Sequence, residues 1–128
     1  MNPISKPEGS GKAPFDEASL WDRVNEDSEL LGDLLQIFTQ EYPVMLQKLQ
    51  AALEEKSPVE IARFSHKLKG SALQFSAQLV AGTAGRLEKM AQAGTLENAD
   101  AVFGQLRNEI AELADGLRRM VQNRATHS

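Results

Sequence analysis

From Ser28 to Gln122 the large apolar residues recur at steps of three and four, and nowhere do they alternate with polar ones over a strand's length. A repeat near 3.6 residues puts them on one face of an α-helix, and each such face has to be covered. Leu31, Leu35, Phe38, Tyr42, Leu49 and Leu53 make one stripe; Val102, Leu106, Ile110, Leu113 and Leu117 make another. Four segments carry such stripes and predict long helices over 28–55, 58–75, 77–93 and 97–122. Long amphipathic helices with short connections pack side by side in alternating directions. The expected fold is all-α: an antiparallel four-helix bundle with a short additional N-terminal helix.

The punctuation agrees with that division. Ser57-Pro58-Val59-Glu60 has an N-cap serine, a proline at the first helical position and a glutamate three residues after the cap, a capping box. Gly94-Thr95 is a helix stop. Asp16 is a good N-cap for the short first helix, which ends near Val24, and Phe15 before it is placed to pack on Leu20. Asn25-Glu26-Asp27-Ser28 interrupts the pattern and offers a second N-cap. Pro43 lies inside the second helix and removes a backbone donor, so a kink or break is expected near Glu41-Tyr42. The apolar pattern continues on both sides, which favours the kink. Residues 1–14, rich in Pro, Gly, Ser and Lys, read as a flexible tail, 15–123 as the bundle domain and 124–128 as a frayed end.

Composition narrows the function. The chain has no cysteine, so disulfides and thiolate metal sites are ruled out. No apolar run approaches the roughly 20 residues of a membrane span, and the polar start has no secretory pattern. A net charge of −4 without a basic face argues against nucleic acid as a partner. A soluble, cytoplasmic monomer is the expectation.

The chemistry concentrates in Arg63-Phe64-Ser65-His66-Lys67-Leu68-Lys69-Gly70. On a helical wheel Ile61, Phe64, Ser65, Leu68, Ala72 and Phe75 form the core stripe, and His66 falls about 150° from its centre. Ala62, Lys69, Gly70 and Leu73 share the sector of His66, which is therefore exposed and uncluttered. An exposed helical histidine is usually only a solvated side chain, and Lys69 alone would be an ordinary surface lysine. Gly70 is harder to dismiss, because a mid-helix glycine costs about 1 kcal/mol against alanine. No turn is due there, so the remaining reason is close approach of something else. Acid–base hydrolysis wants a partner for the imidazole, and serine-triad logic a nucleophile and an orienting carboxylate; metal binding needs further ligands, and the only other histidine, His127, is in the tail. A nucleophilic imidazole that accepts a group and hands it on needs little more than access and nearby positive charge. For a phosphoryl group Lys69 is one turn away, and Arg63 and Lys67 add a local field that favours an acidic partner.

His66-Lys67-Leu68-Lys69-Gly70-Ser71 resembles the H-x-L-K-G-S signature of histidine-containing phosphotransfer (HPt) domains. The similarity spans nearly the whole expected domain, including helix order and the Leu87-Glu88 pair. It implies that His66 is phosphorylated on its outer ring nitrogen, receiving phosphoryl from a receiver-domain aspartyl phosphate and passing it to a response regulator. Lys69 would contact the phosphoryl oxygens, Gly70 would leave room for the receiver's rim, and Glu88 matches a position, often Gln or Glu, beside the histidine. The magnesium ion would belong to the receiver of the partner kinase or regulator, so no cofactor of this chain's own is implied. One residue departs from the pattern: the glycine usual ten residues after the histidine is Ser76 here.

The expected function is thus a phosphocarrier without kinase activity, with His66 as phosphorylated residue, Lys69 and Glu88 beside it, and Ala62, Arg63, Lys67, Gly70 and Leu73 as docking residues. A non-catalytic adaptor that docks a partner through the same face is the alternative. A small phosphatase using Glu88 and His66 is a third.

Overall fold

The computed structural model describes residues 14–127, with side chains through Asn123; the tail expected over 1–14 lies, apart from Pro14, outside them. Five helices follow one another: α1 (Glu17–Arg23), α2 (Ser28–Glu54), α3 (Pro58–Gln74), α4 (Gln78–Ala93) and α5 (Ala99–His127). There is no strand among the described residues. In the packing, α3 lies between α2 and α4, and α5 contacts α4 and α2, so the four long helices close a ring around one core. Leu31, Leu49, Ile61, Leu87, Leu106 and Leu113, drawn from all four, are fully buried.

The helix starts follow the sequence closely. Asp16 accepts from the Ser19 amide at 3.1 Å, and Asp27 from those of Glu29 and Leu30 at 3.1 and 3.0 Å. The capping box at Ser57 is only half formed. Ser57 Oγ accepts from the Glu60 amide at 3.5 Å, but Glu60 turns to Arg63 Nη1 at 3.0 Å. The reason is that the Ser57 amide already donates to Ala52 O at 3.0 Å, leaving nothing for Glu60 to satisfy. Through Pro43, α2 stays helical, so the break does not occur. The last helix, expected to close near Gln122, continues to His127.

The connections share one device. The amides of Ser57, Ala77 and Thr95 each reach back five residues, to Ala52, Ala72 and Met90, at 3.0 Å. Each closure requires a left-handed residue just before the donor. Those residues are Lys56 and Ser76, both at φ 55°, and Gly94 at φ 74°. Glycine takes this conformation freely, whereas a residue with a Cβ gives up about 1 kcal/mol or more. The departure at Ser76 therefore leaves the turn intact and carries a conformational cost.

Ser76 has compensating contacts. Its carbonyl accepts from the Asp16 amide at 2.9 Å, and its hydroxyl bonds that of Ser19 at 3.0 Å. Both anchor the start of α1 to the α3–α4 turn. On the other side, Phe15 and Pro14 press against α5 at Gly116, where a Cβ would lie 3.0 Å from Phe15 Cε1 and 3.2 Å from Pro14 Cγ. The close approach that explains a mid-helix glycine is thus found inside the fold at Gly116.

Substituting Ser76 separates the two effects. Ser76→Ala keeps the left-handed strain and loses the Ser19 bond, and should lower unfolding free energy by about 1 kcal/mol. Ser76→Gly loses the same bond but relieves the strain, and should unfold at higher denaturant than Ser76→Ala. Urea titrations in which the alanine variant equals or exceeds the glycine variant would contradict this account.

Candidate functional site

Burial of one face of α3 aims the other outward. Ile61, Phe64, Leu68 and Ala72 are at most 8% exposed, and the His66 side chain, across the helix from them, is 67% exposed. Beside it, α4 buries Val80, Ala84, Leu87 and Ala91, which leaves Glu88 at the edge facing α3. There the carboxylate joins two donors. Glu88 Oε2 lies 3.0 Å from His66 Nδ1, and Oε1 accepts from Lys69 Nζ at 2.9 Å. The Lys69 stem passes over Gly85, where a Cβ would sit 3.5 Å from its Cδ, an ordinary contact.

Electrostatics fixes the roles in this trio. Burial of Glu88 opposes ionisation, but the hydrogen bond and charge of Lys69, and then those of His66, outweigh it and hold the carboxyl below its usual range. An ionised carboxylate only accepts, so Nδ1 of His66 must be the donor. In the neutral ring the proton then sits on Nδ1, and the lone pair sits on Nε2, on the ring's far side. The site presents an oriented nucleophilic nitrogen at an exposed surface.

The other expected residues gather around it. Gly70 is exposed, and a Cβ there would meet nothing within 4 Å, so bare backbone lies one turn from the imidazole. Leu73 is 37% exposed and Ala62 half-buried on the same face. Arg63 and Lys67 lie 5.1 and 5.9 Å from the Phe64 ring, and Lys48 from α2 joins them at 5.9 Å. Lys48 escaped the sequence reading because it sits on another helix. It also lines a groove of about 700 Å³ between α2 and α3, with Val44, Met45, Phe64, Lys67 and Gly70. Among the described residues no group of three or more His, Cys, Asp or Glu could hold a metal ion, and no helix is long and apolar enough to cross a membrane.

Acid should dismantle the trio from the Glu88 end. A carboxyl lowered in the folded state contributes stability above its unfolded value of 4.5, and loses it as pH falls through the folded value. The melting-temperature advantage of wild type over Glu88→Gln should hold steady above pH 4.5 and shrink on further acidification. A gap unchanged by acid, measured by circular dichroism, would contradict the pairing.

Known proteins resemble this chain in sequence pattern and in fold. The sequence model of the Hpt domain matches residues 33–116, a span that holds all of α3 and α4. The crystal structure of histidine-containing phosphotransfer protein B (HptB) from Pseudomonas aeruginosa PAO1 is similar at a TM-score of 0.80 and 25% identity, over 86% of this chain and 96% of that one. No curated protein matches the chain. With two thirds of its length matched and the fold shared, this chain belongs to the Hpt domain family.

Proposed function

We propose that this chain is a phosphocarrier of a phosphorelay, built on an antiparallel four-helix bundle, with His66 Nε2 as its phosphoryl acceptor. The observation that carries the reading is the exposed His66 ring held through Nδ1 by Glu88, which leaves Nε2 free for a visitor. The visitor is the receiver domain of a hybrid kinase or response regulator, and its aspartyl phosphate is donor in one direction and product in the other. Lys69, one turn from His66, supplies positive charge for the phosphoryl oxygens. Gly70 gives the receiver's rim a path to the ring. Ala62 and Leu73 offer apolar contact, while Arg63, Lys67 and Lys48 favour an acidic surface.

Transfer of this kind asks little chemistry of the carrier. Phosphoryl passes between in-line nucleophiles, so positioning and charge compensation do most of the work. Any magnesium ion arrives with the receiver, and no nucleotide site of the carrier's own is required. The protein acts as a cytoplasmic monomer that meets its receivers in turn.

Two substitutions test the reading. His66→Gln should fold as wild type and take no label from a phosphorylated receiver; acid-labile phosphate retained by that variant would sink the assignment. An adaptor would bind the same receiver without gaining phosphate. Gly70→Ala should raise stability by up to about 1 kcal/mol, since its methyl meets nothing in the free protein. It should also slow transfer from the receiver. A variant more stable and equally fast would remove Gly70 from the docking face.

A further inference from the structure

Helix α2 carries two apolar stripes, and the fold uses only one. Leu31, Leu35, Phe38, Leu46, Leu49 and Leu53 are buried against the bundle. On another side of the helix Leu30, Ile37 and Val44 stand 40, 50 and 48% exposed, each seven residues from the last. Three of the five large apolar side chains exposed among the described residues thus lie on one line, a patch rather than scatter. With Leu34, Glu41 and Lys48 the line alternates steps of four and three, the spacing of a coiled-coil seam. Because α2 stays helical through Pro43, the seam runs unbroken for about 27 Å.

The seam is complementary to itself. In a two-fold pair of antiparallel helices, residue i of one copy meets residue j of the other, and j meets i. Centred on Ile37, such a pair sets Ile37 on Ile37 and Leu30 on Val44, so each exposed apolar side chain finds another. Charge follows the same symmetry. Glu26, Asp27, Glu29 and Asp33 surround the start of the seam, whereas Lys48 at its far end stands with Arg63 and Lys67 around Phe64. Antiparallel pairing lays each acidic end on the other copy's basic end, with Lys48 nearest Glu26 and Asp27. Parallel pairing would stack like on like.

We propose that two copies of this chain pair through this face of α2, antiparallel about Ile37, in a resting dimer that covers the approach to His66. Glu41, Val44 and Lys48 belong to the seam and also line the groove between α2 and α3, which reaches Gly70. A helix laid along the seam therefore bars the groove. This masking half rests on the phosphocarrier reading; the pairing half does not.

The dimer is weak for two reasons. One helical stripe offers far fewer than the roughly 20 residues a side of a standard interface. Glu41 of each copy also falls opposite Asp33 of the other, a like-charge contact made twice. The monomer is thus released readily and remains the form that meets a receiver.

Sedimentation equilibrium at low salt, from about 10 µM to about 1 mM, spans the range of weak interfaces and tests the pairing. Wild type should pass from monomer towards dimer. Ile37→Asp puts two carboxylates on the two-fold axis, and should stay monomeric with an unchanged helical circular-dichroism signal. Glu41→Lys should associate roughly tenfold more tightly, as two like-charge contacts become ion pairs. Wild type that stays monomeric throughout, as a seam reserved for a receiver or another protein would, overturns the proposal. So does an Ile37→Asp variant that dimerises as well as wild type. A single cysteine tests the masking, since the chain has none of its own. Ile37→Cys should oxidise to a disulfide-linked dimer that takes no label from a phosphorylated receiver until it is reduced. A linked dimer that labels as fast as the reduced protein overturns the masking half. If the reduced protein takes no label either, the phosphocarrier reading fails, and sedimentation still decides the pairing.

Discussion

The packing of α3 between α2 and α4 is the constraint on which the rest of the molecule depends. Covering both flanks of that helix commits Ile61, Phe64, Leu68 and Ala72 to the core and leaves a narrow outward strip. His66 sits on that strip because its place in the helical repeat lies opposite the buried residues. The neighbouring helices then furnish its two sides with opposite characters. On the α4 side an ionised glutamate joins lysine and imidazole; on the α2 side three cations gather around Phe64 above an open groove. A single helix with a buried back thus brings an oriented imidazole, an ionised carboxylate and a cation-lined groove onto one surface.

Helix identity was legible in the sequence because apolar spacing reports directly on which residues must be buried. The exposure of His66 followed from the same wheel, and Gly94 was readable because glycine is the residue a left-handed stop prefers. Lys56 and Ser76 adopt the same conformation without any such signal. There the closing hydrogen bond and the surrounding packing decide the backbone, and side-chain chemistry does not advertise it. Ser76 recovers part of the cost through Ser19 and Asp16, contacts between segments some sixty residues apart that no local pattern contains.

The site was legible residue by residue but not as an arrangement. His66, Lys69 and Gly70 share a helix, so their spacing places them together. Glu88 comes from the next helix, and its two hydrogen bonds depend on the rotation of α4 against α3, which only the packed core fixes. Lys48 is missed for the same reason. The box at Ser57 shows the limit from the other direction, because local rules named the right residues while a neighbouring backbone bond set the outcome. Phe15 on Gly116 is a further case, in which a glycine that looks idle in sequence seats the residues just before α1.

The central claim is that Nε2 of His66 is the atom that carries the phosphoryl group, and the most direct measurement is to locate that atom. Proton–phosphorus correlation NMR of the protein after labelling by a phosphorylated receiver distinguishes the two ring nitrogens through their couplings to the ring protons. The account predicts one phosphohistidine, substituted at Nε2 and assigned to His66. Phosphate on Nδ1, which the Glu88 contact occupies, or on any other side chain, would contradict it.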